Sequence, residues 1–158
     1  MRRYLHRSDL RPEKEWAVIE WLASRGAGEF TVALMGMEGS SLPTLDRIEA
    51  TLRPHELGNE VRARISSYGE DGFRGPTRLW ALTSDTLQIL HECFPNGPFA
   101  DPTYDEGGWF EDLELYREKE LVFGAVSHEG EAVLQLGHAE WPLFADLGIP
   151  TRERGQYI

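Results

Sequence analysis

Leu121-Val122-Phe123-Gly124-Ala125-Val126-Ser127-His128-Glu129-Gly130-Glu131-Ala132-Val133-Leu134-Gln135-Leu136 is the stretch whose reading decides the fold. Two alternating apolar runs flank a short polar break, and Gly130 stands where a tight turn needs positive φ. The spacing predicts a β-hairpin in which His128 pairs with Glu131, Ala125 with Leu134 and Phe123 with Leu136. In that register Leu121, Phe123, Ala125, Leu134 and Leu136 share one face, the core face. The preceding run, Trp109–Arg117, alternates Leu113 and Leu115 with acids. Its leucines reach the core face when Arg117 pairs with Leu121 across the loop Glu118-Lys119-Glu120.

Outward from this meander, helical spacing appears at Pro12–Arg25, with Trp16, Ile19 and Ala23 on one stripe and Gly26 placed as its stop. Ser41 is positioned to cap a helix from Leu42 that carries Leu45, Ile48 and Leu52. Leu57, Val61 and Ile65 suggest a helix from Pro54 to about Ser66, although Gly58-Asn59 weakens its first turn. Thr83 or Ser84 caps a helix with Leu87, Leu90 and Phe94, and Ala139–Leu147 ends at Gly148 and Pro150. The expected fold is α+β: a mostly antiparallel sheet of about five strands, near 29–36, 78–82, 109–117, 121–128 and 131–137, with four to five helices packed on it. The 158 residues suit one domain, 1–158, with the breaker-rich 95–108 loop as the place for any subdivision.

Charge narrows the function. The net charge is −11, and residues 101–158 carry four basic against thirteen acidic side chains, a net of −9. A field of that sign repels phosphate backbones and anionic bilayers, so no nucleic-acid or membrane partner is expected. One cysteine, Cys93, permits no internal disulfide and reads as buried filler. With no signal-like apolar run behind Met1-Arg2-Arg3, the cytoplasm is the default compartment.

No catalytic motif stands out, and enzyme activity is not favoured. Gly36–Ser41 joins a strand to a helix as phosphate loops do, but it lacks the lysine and carries Glu38. His128 and His138 fall at opposite ends of one hairpin, so no metal is expected, and no cofactor either. The second face of the meander presents Asp112, Glu114, Tyr116, His128, Glu131 and Gln135 around Gly124. A mid-strand glycine between larger neighbours makes a notch that a ligand could enter, although a solvated sheet face shows the same pattern. Tyr104, Asp105, Glu106 and Trp109 add exposed aromatics among acids, a composition that suits docking.

Two functions follow as expectations. The first is a non-catalytic interaction domain whose acidic C-terminal surface binds a basic protein partner. Small acidic inhibitors of toxins share that balance of size and charge, and the likeness extends no further. The second is a small-molecule binding protein or enzyme using the notch around Gly124. A homodimer through an exposed edge or the aromatics is a further option.

Overall fold

The computed structural model describes residues 2–36, 42–65, 74–100 and 107–153. In chain order they form β1 (Arg2–His6), α1 (Pro12–Ser24), β2 (Glu29–Met35), α2 (Pro43–Leu52), β3 (Glu56–Ala63), β4 (Arg74–Ala81), α3 (Ser84–Cys93), β5 (Trp109–Arg117), β6 (Glu120–Val126), β7 (Glu131–Gln135) and α4 (Glu140–Ala145). The strands make one antiparallel sheet of seven, ordered β1-β7-β6-β5-β2-β4-β3. The expectation of five strands with four to five helices is therefore corrected. Two strands are added, β1 and β3, and within the helix expected over 54–66 the chain forms a 3-10 turn at Arg53–His55 and then strand from Glu56 to Ala63.

The reason for the second error lies in the spacing. Leu57, Val61 and Ile65 recur every four residues, which is one stripe of a helix and equally one face of a strand. Gly58 settles the matter: its φ is 104°, and the β3–β4 register shifts between Glu56 and Gly58. A bulge is what a glycine inside a strand often marks. β1 escaped notice because Leu5 alone among its residues is buried.

The four helices pack on one face of the sheet. Trp16, Ile19 and Leu22 of α1, Leu45, Ile48 and Leu52 of α2, Leu90 of α3 and Phe144 of α4 close over Phe30, Leu115, Phe123 and Leu134. Helix starts follow the expected chemistry where it can be seen. Thr83 and Thr86 bond reciprocally, Thr86 N–H to Thr83 Oγ1 at 3.3 Å and Thr83 N–H to Thr86 Oγ1 at 2.8 Å. The Ser41 cap lies outside the described residues, as does the loop from Met37 onward.

The meander is present, with two changes of register. Phe123 pairs with Leu134, Ala125 with Ala132 and Val126 with Glu131, leaving Ser127–Gly130 as a four-residue connection in which Gly130 has φ 63°. That slip of two preserves the faces, so Phe123, Ala125, Leu134 and Leu136 all lie in the core. At the other hairpin Arg117 pairs with Glu120 across Glu118-Lys119, whose φ values of 50° and 72° give the turn its reversed twist. Tyr116 then pairs with Leu121 but Leu115 with Phe123, so Val122 is an extra residue. The bulge sends Val122 into the main core and turns Leu121 to the opposite face, beside Tyr116 and Leu79.

That opposite face is covered. β4 meets β2 at Glu29↔Ala81 and Phe30↔Trp80, and the β3–β4 hairpin then diverges so that the end of β3 lies against β6. Ala63 and Ile65 pack on Leu79, Tyr116 and Leu121, making a second, smaller core.

Candidate functional site

Glu114 and Tyr116 project from β5 into the space under the end of β3, and the side chains that β3 brings there are arginines. Glu114 is 1% exposed and Tyr116 is fully buried. One carboxylate oxygen of Glu114, Oε1, accepts the Ile65 backbone N–H at 2.9 Å. The other, Oε2, accepts Arg64 Nε–H at 3.0 Å and Tyr116 O–H at 2.6 Å. The Tyr116 hydroxyl also lies 3.1 Å from the Ala63 carbonyl. Arg62, 2% exposed, sits 5.9 Å from the Tyr116 ring centre and pairs with Glu29 at 2.8 Å and Glu60 at 2.6 Å. β3 thus ends in a strap, Ala63-Arg64-Ile65, tied to the sheet through one carboxylate.

Burial raises the pKa of Glu114, and the Arg64 charge with the donated hydrogen bonds only partly offsets it. Burial and the facing carboxylate push the Tyr116 hydroxyl upward as well, so it stays protonated and donates. A carboxylate so enclosed has no route to a substrate. Its donors make it a structural latch.

The notch expected at Gly124 is filled. Gly124 lies between Glu114 and Val133, not Gln135, and a Cβ built on it would overlap Ile65 Cγ1. The glycine therefore marks close approach of another part of the chain. The expected site residues scatter accordingly. Asp112 sits at a bulge in β5 with φ 54°; it exchanges bonds with Ser127, Asp112 N–H to Oγ and Ser127 N–H to Oδ1, each 2.9 Å. His128 is exposed and 3.8 Å from Glu129, while Glu131 lies 3.9 Å from His6. Gln135 accepts a bond from Arg2 at 3.3 Å. Trp109 is half-buried opposite Met35 at the start of β5. Tyr104, Asp105 and Glu106 lie outside the described residues.

Two features were not read from the sequence. One is the strap, whose signal was the alternation Val61-Arg62-Ala63-Arg64-Ile65. The other is a cleft of about 400 Å³ at the β5–β6 turn, lined by Arg117, Glu118, Glu120, Leu121, Val122, Gln135, Leu136 and Gly137. Arg117 is held by Glu140 in a two-point bond of 2.6 and 2.8 Å, and Lys119 lies 3.5 Å from Glu60. Arg117 is thus bonded to Glu140, with Glu118 also within reach of its charge, and Lys119 is paired with Glu60.

A second buried carboxylate lies on the helix side. Glu15 of α1 is fully buried; its Oε2 accepts Phe99 N–H at 3.0 Å, and Oε1 has no hydrogen-bond partner among the described residues. Gly97, with φ 102°, passes so close that a Cβ would overlap Oε2. Burial raises the Glu15 pKa, against smaller lowering by Phe99 N–H and Arg7. Burial also pushes the Cys93 thiol up to about 12, as suits a packing residue.

Among the described residues no three metal-ligating side chains converge, and no helix is long and apolar enough to cross a membrane. Comparison with protein-family models, with characterised protein sequences and with solved structures finds no match for this chain.

Proposed function

We propose that the chain is a non-catalytic interaction domain that takes a basic protein partner on its acidic C-terminal surface, with the cleft at the β5–β6 turn as the anchoring point. The observation that carries this reading is the pair Glu118 and Glu120. They line one cleft, and the neighbouring Arg117 and Lys119 are bonded to Glu140 and Glu60. A lysine or arginine of the partner lays its stem along the cleft and its charged head between the two carboxylates. Amphipathic side chains favour such half-apolar, half-acidic seats. The wider acidic field steers the encounter, and the cleft supplies the contact.

The test compares two double variants of equal charge, Glu118→Gln/Glu120→Gln in the cleft and Glu13→Gln/Glu20→Gln on exposed α1. Titration calorimetry with a short arginine-rich peptide should show the cleft variant weakened about tenfold, roughly 1.4 kcal/mol, and the α1 variant little changed. Equal weakening of both would mean that net charge alone attracts the peptide and would overturn the cleft as the seat.

A further inference from the structure

The two edges of the sheet are treated differently. The outer edge of β1 is occupied, because Tyr4 and Arg152 exchange backbone bonds, Tyr4 N–H to Arg152 O and Arg152 N–H to Tyr4 O, both 2.8 Å. The outer edge of β3 carries no strand among the described residues. Which backbone groups it presents follows from its pairing. Val61 stands opposite Pro76, which has no N–H to give, so the pair is a non-hydrogen-bonded one and the Val61 N–H and C=O point away from β4. Asn59 and Ala63, two residues either side, point the same way. At Ala63 the outward carbonyl meets Tyr116 O–H, which confirms the direction and closes that end. Between Asn59 and Val61 the described residues place one partner on the edge, the Arg74 side chain, whose Nη2–H donates to the Val61 C=O at 3.5 Å.

Side chains give the open edge a chemistry. Val61, which follows the bulge at Gly58, is 59% exposed and is one of four large apolar side chains so exposed among the described residues. On the other side of the strand Glu60 is half exposed, and Lys119 joins it to the turn that bears Glu118 and Glu120. A strand laid against this edge therefore meets the apolar Val61 on one side and, beyond Glu60 on the other, the turn that bears Glu118 and Glu120.

We propose that β3 accepts an added strand from the basic partner, an extended segment in which lysine or arginine alternates with β-branched apolar residues. This rests on the reading of the chain as a binder of basic proteins and names the mode of binding. Main-chain bonds at an open edge supply affinity, and alternate side chains supply selectivity. An uncovered edge with apolar side chains is also what a second copy would seek. Charge separates the two occupants: a second copy brings another net −11 to the interface, whereas a basic strand is attracted to Glu118 and Glu120.

A short synthetic peptide alternating Lys and Val is the probe. Its twin carries N-methyl groups on one edge, which block main-chain pairing and leave the charge unchanged. The parent peptide should bind, and protect the Asn59 and Val61 amides from hydrogen exchange, while the twin binds at least tenfold more weakly. Val61→Lys should weaken the parent peptide by a similar factor with an unchanged circular dichroism spectrum. Val61→Pro removes one outward N–H without touching the β4 ladder and should do the same. Equal binding of both peptides, lost in the Glu118→Gln/Glu120→Gln variant, would overturn the added strand while leaving the cleft reading intact. Binding of neither peptide, with sedimentation showing self-association that Val61→Lys abolishes, would overturn the proposal in favour of a second copy.

Discussion

Glu15 and Glu114 are both wholly enclosed, and in both burial raises the pKa, yet the chain treats them in opposite ways. Glu114 meets three donors, one from β5 and two from the segment that follows β3, and an arginine brings one of them. Among the described residues Glu15 meets one, the Phe99 N–H, and its second oxygen has no donor. The first carboxylate is where the end of β3 is fastened over β5 and β6. The second is a single acceptor holding the segment after α3. Being buried thus says little about what a charged group contributes. The number of donors left stranded by its removal says more, because each stranded donor costs its desolvation in full.

That contrast is broken or sharpened first at Glu114. Glu114→Ala strands the Arg64 guanidinium, the Ile65 N–H and the Tyr116 O–H together. Removing one partner of a buried pair costs about 3–5 kcal/mol, and partial exposure of Arg64 places this site toward the lower figure. Urea unfolding followed by tryptophan fluorescence measures it. Exchange at the Ile65 amide should speed up more than exchange in β7. A loss below about 1 kcal/mol would show that Ile65 packing holds the strap without the carboxylate.

Gly124→Ala attacks the same strap from the other side. The new methyl occupies the place of Ile65 Cγ1, close to the branch point of that side chain and not at a free end. Ile65 must shift, and its N–H leaves Glu114 Oε1 as it does so. Overpacking of this kind costs about 1–3 kcal/mol. If the strap is one unit, the effect of Gly124→Ala shrinks markedly in a Glu114→Ala background, and a double-mutant cycle reads the coupling. Additive effects would mean that glycine and carboxylate act separately.

How far these features were visible in the sequence depends on what alternation can carry. The β5–β6–β7 meander was legible because strict alternation on both sides of a turn fixes faces even when register slips by two, as Phe123, Ala125 and Leu134 show. A bulge inserts one residue and leaves the local pattern looking sound, so the exchange of Leu121 for Val122 in the core could not be read. The Leu57, Val61, Ile65 spacing fits strand and helix alike, and only Gly58-Asn59 argued against the helix. Glu114 and Tyr116 were legible as neighbours on one face. Their cover was not, since the strap arrives from fifty residues earlier and nothing local announces it.

The smallest effect is expected at Glu15. Glu15→Gln keeps an acceptor for Phe99 N–H and removes a charge that pairs with no neighbouring donor beyond it. At neutral pH the variant should lie within about 1 kcal/mol of the parent. The pH dependence has a definite sign. A carboxyl whose folded pKa is raised contributes stability that is present below the unfolded carboxylate range and is lost as pH rises through the folded value. Glu56 and Glu140 run the other way, because bonds from Arg78 and Arg117 lower their pKa and their contribution is lost as pH falls through the lowered values. The stability of Glu15→Gln relative to the parent should therefore improve as pH rises from acid toward neutral, a difference that cancels the groups common to both. Unfolding by urea at a series of pH values measures it. A difference that stays flat would mean that Glu15 is as easily ionised inside the fold as outside it, and would erase the distinction between an answered and an unanswered buried carboxylate.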